Sequence, residues 1–476
     1  MTNFPNLIGG EWTMGTHTVP NVNPSDTNDV IGDAASATAD EMNTAIEAAA
    51  AAQVSWGQTT PQQRFDLLDA IGTEILSRKE ELGDLLAREE GKTLPEGIGE
   101  AARAGQIFKF FAGEALRIQG ERVDSVRPGV DVDMRREPMG VIGLITPWNF
   151  PIAIPAWKVA PALCYGNAVV LKAAEAVPGS AWALADIIHR AGVPAGVFNL
   201  VNGRGSEIGP VMIDHPKVAA VSFTGSVQTG RSVAQACAKN LKKVQLEMGG
   251  KNPMVVLDDA DLDVAVGACL NGAFFSTGQR CTASSRMIVT EGIYDQFVAA
   301  MTKAVSELKV GDARDSATQI GPVIDERQLA KDLDYVEIAK SEGAKLAFGG
   351  EKLNGNGHFM VPALFFDTTN DMRINQEEVF GPVATIIRAR DYDDALALAN
   401  DTEFGLSAGI CTTSLKYASD FKARSKAGMV MVNLPTAGVD YHVPFGGTKG
   451  SSYGSREQGR YAAEFYTTVK TSYTQP

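Results

Sequence analysis

The sequence predicts an α/β protein of two main units, each a largely parallel sheet flanked by helices, with a small β-structured appendage. Three observations carry this. From Val141 to Glu247, short apolar runs rich in β-branched residues alternate with helical segments. A second alternating block runs from Pro253 to Asn433. Finally, Tyr461–Tyr473 is rich in aromatic and β-branched residues but has little local shelter, which predicts a strand paired with another subunit or with a distant sheet edge. The 476 residues supply ample core for such an arrangement.

The elements follow in order. Ala35–Ala52 is alanine-rich with scattered acids and reads as a helix. Pro61–Glu90 places Phe65, Leu68, Ile71, Ile75, Leu82 and Leu86 at helical spacing. Val141–Thr146 and Asn167–Lys172 read as buried strands. The apolar stretch Phe150–Leu171 is long enough to resemble a membrane span, but Pro151, Pro155, Pro161 and Lys158 argue for folded soluble structure. Ser180–Gly192 is a helix ending at glycine. Val197–Val201 and Val218–Phe223 are strands, Ser226–Asn240 a helix, and Lys242–Glu247 a strand. In the second block Pro253–Asp259 opens with a strand, followed by a long helix over Asp261–Phe275.

Composition narrows the function. Forty-three Lys and Arg against 57 Asp and Glu give a net charge of −14, with no basic block, so neither nucleic acid nor an anionic membrane is an expected partner. Five cysteines form no disulfide framework and read as reduced thiols in a cytoplasmic protein. The segment MTNFPNLIGGEW shows neither the cationic nor the apolar region of a signal peptide. Gly203–Gly209 spaces its glycines one residue off the dinucleotide fingerprint, and Gly225–Ser232 has Arg231 where a P-loop needs lysine. What survives of the second motif is a glycine turn opening a helix, whose free N–H groups suit a pyrophosphate.

In parallel sheets ligands gather beyond the carboxyl ends of strands. Those ends carry Pro147-Trp148-Asn149, Lys172 with Glu175, Asn202-Gly203-Arg204-Gly205, Thr224-Gly225-Ser226 and Glu247-Met248-Gly249-Gly250. Among the thiols, Cys164, Cys237, Cys269 and Cys411 sit in apolar or alanine-rich runs and read as core. Cys281 lies among small polar residues after the long helix, beside Arg280, which would draw its pKa toward the thiolate. The five histidines are scattered, and His189 reads as a packed or capping residue. Glu247 at a strand end is therefore the better base, projecting into a cleft, and Asn149 offers an amide N–H to a developing oxyanion.

The motifs FTGS, LEMGGKNP, STGQRCTAS, EEVFGP and PFGGTKGS, in that order, with TPWNFP, AWK and LKAAE upstream, resemble the aldehyde dehydrogenase superfamily from about Leu7 to Val469. The resemblance implies a Rossmann-type NAD-binding domain (1–120 and 138–249), an α/β catalytic domain (250–450) and an oligomerisation arm and tail (121–137 and 451–476). It implies Cys281 as nucleophile, Asn149 and the Cys281 N–H as oxyanion donors, Glu247 as the base that activates water, and Lys158 with Glu457 as a proton relay. For the cofactor it implies Ile145, Thr146, Pro147 and Trp148, then Lys172 and Glu175 at the adenosine ribose. Gly205, Gly225 and Ser226 match the pyrophosphate turn, with Gly249 beside them, and Glu378 and Phe380 match the nicotinamide ribose. NAD is the expected cofactor, NADP a possible one, and no metal is required. The chain is expected to form a homodimer or homotetramer. One position departs from the family pattern: Ala173 stands where LKPAE has proline.

Asn433–Thr471 resembles the group that acts on α-ketoglutaric semialdehyde (2,5-dioxopentanoate). Succinic semialdehyde is the alternative substrate, although Phe275 stands where some of those enzymes place an arginine. For the far carboxylate of such a semialdehyde, Arg280 and Thr436, the latter in the loop Pro435–Val439, are the candidates. A non-catalytic relative of the same fold is disfavoured by the intact Cys281, Glu247 and Asn149.

Overall fold

The computed structural model describes residues 2–476. Its first sheet has eight strands, and five parallel ones form the middle: Lys243–Glu247, Val218–Thr224, Val141–Ile145, Ala168–Lys172 and Phe198–Leu200 in spatial order. Of these five the chain lays down the central strand Val141–Ile145 first, builds outward on one side, then crosses to the other. The order therefore reverses between Val141–Ile145 and Val218–Thr224 and opens a crevice at their carboxyl ends.

Both faces of this sheet are covered, so alternate side chains enter different cores. Ile142 and Leu144 pack with the helices Pro61–Ser77, Leu94–Ala115, Ala153–Cys164 and Pro178–Arg190. Val141, Val170 and Val221 pack with Ala39–Gly57, Gly205–Asp214 and Val227–Lys239 on the other face. The proline-bearing stretch is part of this core. Pro151–Lys172 is buried throughout and divides into the helix Ala153–Cys164 and the strand Ala168–Lys172. No described helix is long and apolar enough to cross a membrane.

The second sheet orders Lys345–Phe348, Ala363–Thr368, Val383–Ala389, Arg286–Thr290, Pro253–Val256, Ser407–Cys411 and Met429–Val432, parallel except for the first. Helices Leu262–Phe274 and Tyr294–Ser306 cover one face, and Tyr392–Asn400 and Leu415–Arg424 the other. A third, exposed sheet pairs Thr467–Thr474 antiparallel with Asp131–Pro138, which in turn pairs with Glu121–Asp124. Before reaching it, the chain adds Ser452–Tyr453 to the edge strand Lys243–Glu247 of the first sheet.

Several boundaries differ from the sequence reading, for local reasons. Val30–Ala35 is a strand, and the alanine-rich helix begins only at Ala39, where Thr38 and Glu41 close a reciprocal capping box. Pro61–Glu90 breaks at Arg78 into two helices, Pro61–Ser77 and Lys79–Glu89. In the tail, Ala463–Tyr466 makes a helical turn that buries Phe465 and Tyr466, and only Thr467–Thr474 is extended. The strands Thr2–Phe4, Asn6–Ile8 and Glu11–Thr13 had no sequence counterpart in the reading above.

Candidate active site

Cys281 sits on the loop between the helix Leu262–Phe274 and the strand Arg286–Thr290. It therefore belongs to the amino end of the second sheet and faces the carboxyl ends of the first. The loop is tightly specified. Ser276, Thr277 and Gly278 are all left-handed (φ 52°, 55° and 67°), and a Cβ on Gly278 would lie 2.2 Å from the Gly381 carbonyl oxygen. Glu96 accepts from the Ser276 N–H and hydroxyl (2.8 and 3.0 Å), and Asn252 Nδ2 donates to the Cys281 carbonyl (2.8 Å).

Two cavities meet at this residue. One, of about 470 Å³, is lined by Arg103, Phe150, Trp157, Arg280, Cys281 and the loop residues Pro435 and Ala437–Val439, among others. The other, of about 200 Å³, is lined by Trp148, Asn149, Gly249, Cys281, Glu378 and Phe380, among others. The remaining four cysteines are buried, and burial raises the pKa of each.

The electrostatics of the thiol correct the sequence expectation. Burial, then the Glu378 and Glu247 carboxylates, push Cys281 up to about 12; the N–H groups of Cys281 and Thr282 oppose this only in part. Arg280 does not offset them, because its guanidinium is turned to Glu96 (3.0 Å) and to the Asn271 side chain (3.3 Å).

Asn149 is buried, and its Nδ2 donates to the Gln279 carbonyl, two residues before Cys281 (3.0 Å). Glu247 does not project into either cavity: its carboxylate accepts from the Ser452 hydroxyl (2.6 Å) and lies under Gly446. Burial and then the neighbouring Glu457 raise its pKa well above the usual carboxylate range, against the Ser452 hydrogen bond and the Lys158 charge. Lys158 and Glu457 form a wholly buried ion pair, and Lys158 Nζ also donates to Ser222 Oγ (2.6 Å), which donates to Gln245 (3.0 Å).

A groove of about 940 Å³ runs along the crevice of the first sheet, lined by Ile145, Thr146, Pro147, Trp148, Lys172, Glu175, Gly205, Gly225 and Ser226. Ser226 caps the helix Val227–Lys239, its hydroxyl accepting from the Thr229 N–H, and this amino end lines the groove. The Thr146 and Thr224 hydroxyls are buried along the groove without partners. A groove with orphaned hydroxyls, a helix N-terminus and an open glycine turn fits a dinucleotide. At its far end Glu175 lies 3.6 Å from Lys172 and accepts from the Gly205 N–H (2.7 Å). Gly205 thus meets Glu175 and Lys172 directly, while lining the same groove as Gly225 and Ser226. At the near end Glu378 accepts from the Gly250 N–H (2.8 Å) and occupies the space a Cβ on Gly249 would need. Phe380, left-handed at φ 68°, meets Trp148 edge-on at 5.4 Å.

The larger cavity revises the substrate residues. Thr436 is fully buried, and its hydroxyl donates to the Thr282 carbonyl (2.7 Å). It ties the mouth loop to the Cys281 loop and does not face the cavity, so it is withdrawn as a substrate contact. Phe275 packs against the core of the second sheet. Arg103, on the helix Leu94–Ala115, is a lining residue that the sequence reading missed. Its Nη2 donates to Gln458 (3.1 Å), its guanidinium lies 6.0 Å from the Trp157 ring, and its Nε is buried without a partner. No ion pair to Arg103 occurs within 4.0 Å among the described residues, whereas Arg280 is matched by Glu96 and Lys92 by Glu100. An arginine on the inward face of an otherwise alanine-rich helix was the available signal.

The chain is similar to known proteins over nearly its whole length. The model of the aldehyde dehydrogenase family matches residues 12–472. An alpha-ketoglutaric semialdehyde dehydrogenase of Bacillus subtilis (strain 168) is 43% identical, covering 99% of this chain and 98% of that protein. A succinate-semialdehyde dehydrogenase of Escherichia coli (strain K12), whose name carries NADP(+), is 39% identical over 98% of this chain and 96% of its own length. The crystal structure of a betaine aldehyde dehydrogenase from Staphylococcus aureus in complex with NAD+ superposes with a TM-score of 0.97 at 36% identity, covering 99% of this chain and 94% of that one.

Proposed function

The chain belongs to the aldehyde dehydrogenase family, and we propose that it oxidises α-ketoglutaric semialdehyde (2,5-dioxopentanoate) to 2-oxoglutarate, with NAD preferred over NADP. The observation that carries the substrate class is Arg103. The cavity beside Cys281 holds two cations matched by carboxylates and a third, Arg103, with none within 4.0 Å, the Asp440 carboxylate acting on it only from a longer distance. A cavity with one spare positive charge suits an aldehyde bearing one carboxylate, because a buried anion without a partner is costly. The relatives named for α-ketoglutaric semialdehyde support the choice within that class. Succinic semialdehyde is the second reading, supported by the relative named for it.

In the mechanism Cys281 releases its thiol proton to water in the adjoining cavity, the thiolate Sγ attacks the aldehyde carbon, and the resulting oxyanion accepts from Asn149 Nδ2 and the Cys281 N–H. NAD, when bound, supplies the hydride acceptor; Glu175 and Lys172 would hold its adenosine ribose, Gly225 and Ser226 its pyrophosphate, and Glu378 its nicotinamide ribose. Cys281 then carries the acyl group as a thioester. Glu247, a carboxyl made basic by burial, takes the proton of the attacking water once it leaves Ser452. The Lys158–Glu457 pair behind it receives that proton.

Glu175 sets the cofactor preference, since a 2′-phosphate would meet its charge, offset in part by Lys172. The exposed arm, with its unpaired edges at Glu121–Asp124 and Thr467–Thr474, serves assembly into a homodimer or homotetramer, measurable by sedimentation. Five free thiols suit a cytoplasmic setting. The test of the whole reading is a kinetic panel of ω-oxo acids and neutral aldehydes with each cofactor. The expected order is α-ketoglutaric semialdehyde, then succinic semialdehyde and glutaraldehyde, with acetaldehyde and betaine aldehyde poor. Neutral aldehydes outperforming the ω-oxo acids would overturn it.

A further inference from the structure

Asn149 lies on an irregular segment between the strand Val141–Ile145 and the helix Ala153–Cys164, with no sheet ladder to hold it. Besides the Asn149 Nδ2 bond to the Gln279 carbonyl and the bond from the Ile154 N–H to the Phe150 carbonyl, the segment is held by two side chains of a different part of the chain. Lys92 Nζ donates to the Asn149 carbonyl (2.7 Å) and lies 4.1 Å over the Phe150 ring. The same ammonium donates to Glu100 Oε2 (2.6 Å), and Glu100 Oε1 accepts from the N–H groups of Ile152 and Ala153 (2.9 and 3.0 Å). The pair thus grips the backbone on both sides of the Asn149 turn and caps the helix that follows it.

Both side chains are only 1% exposed. Burying an ion pair is a poor way to gain stability, since apolar residues of the same volume usually do as well or better. Nor is the pair needed to match the substrate's charge, because Lys92 and Glu100 already match each other. What remains distinctive is where the pair's three hydrogen bonds to the backbone land. An amide that must meet an oxyanion at hydrogen-bond distance is sensitive to displacements of an ångström or less.

We propose that the buried Lys92–Glu100 pair positions Asn149, fixing its carbonyl so that the side-chain amide is aimed at the oxyanion before substrate arrives. This rests on the reading of Asn149 as an oxyanion donor. Both members are positioning residues, acting through Asn149 rather than on the substrate.

The test is a double-mutant cycle on the full-length enzyme, read as the single-turnover rate of NADH formation with saturating α-ketoglutaric semialdehyde and, separately, pentanal. Asn149→Ala should slow the step about 100-fold or more. Lys92→Met should slow it about 10- to 100-fold with both substrates, leaving NAD affinity within about twofold. In the Asn149→Ala background Lys92→Met should change the rate less than about threefold, because its lever is gone. Since Lys92→Met strands Glu100, the charge-balanced Lys92→Met with Glu100→Gln keeps the acceptors for Ile152 and Ala153 and repeats the cycle in a folded protein. Losses that multiply in the combined variant would overturn the positioning role alone. A loss confined to the acidic substrate would mark Lys92 as a carboxylate contact and also overturn it. An undiminished rate in Asn149→Ala would overturn the oxyanion reading and the positioning role together.

Discussion

Arg103→Met is the sharpest perturbation of the substrate reading. Methionine keeps much of the bulk beside Trp157 but removes the guanidinium that no carboxylate within 4.0 Å matches among the described residues. Truncating one partner of a buried, hydrogen-bonded charge pair costs about 2–5 kcal/mol. Arg103 is half-buried on a cavity wall that water can reach, so the lower part of that range applies, about 2–3 kcal/mol. At about 1.4 kcal/mol per decade this is roughly a 30- to 150-fold fall in kcat/KM for α-ketoglutaric semialdehyde. Pentanal, of the same length without the acid, should change less than about threefold. Arg280→Ala should discriminate less between the two, since Glu96 already neutralises that arginine. Steady-state kinetics on both substrates decide the matter. An equal fall for the acid and for pentanal would refute the charge-matching argument, because it would show that Arg103 acts only by packing and by its bond to Gln458.

Further outcomes follow from the rest of the site. Cys281→Ala should abolish turnover without unfolding, and iodoacetamide should label Cys281 ahead of the four buried thiols. In the cofactor-free enzyme a thiol pushed to about 12 is nearly all protonated at neutral pH, so alkylation should climb about tenfold per pH unit up to about pH 10. Removing a neighbouring negative charge makes the thiolate less unfavourable, so Glu378→Gln should raise the alkylation rate at fixed pH; a slower rate would contradict the electrostatic account. Glu247→Gln should leave a burst of NADH followed by slow turnover, and loss of burst and turnover together would place Glu247 before hydride transfer. Glu175→Gln should raise the kcat/KM ratio of NADP to NAD about tenfold, checked by initial rates with each cofactor.

Much of the architecture was legible because it rests on patterns local in sequence. The strands Val141–Ile145 and Ala168–Lys172 are uninterrupted apolar runs, as strands covered on both faces must be. The polar and glycine residues just beyond them were visible as candidates because parallel sheets put their ligands there. The rule fails for the second sheet, where Cys281 stands at the amino end and was found through its small polar neighbours instead. What the sequence could not reveal were pairings set by distance in the chain. Arg280 looked free to tune the thiol until Glu96, 184 residues away, was seen to hold it. Thr436 looked like a ligand in the mouth loop, yet it is bonded to Thr282, 154 residues away. Arg103 was lost because helical periodicity marks a face as buried without saying whether a core or a cavity lies beneath it.

The return of the chain to the edge of the first sheet has a bearing on how the enzyme comes into being. Ser452, which holds Glu247, is made 205 residues after it, and Glu457, which neutralises Lys158, is made 299 residues after that lysine. At about 5–20 residues per second a growing chain waits roughly 10–40 s between Glu247 and Ser452. During that interval the edge strand Lys243–Glu247 has no neighbour on its outer side, and Lys158 has no counter-charge in its core. The nascent first domain is therefore left with an open edge and an uncompensated buried charge, a state suited to chaperone capture, and it closes only after the whole second domain has been synthesised.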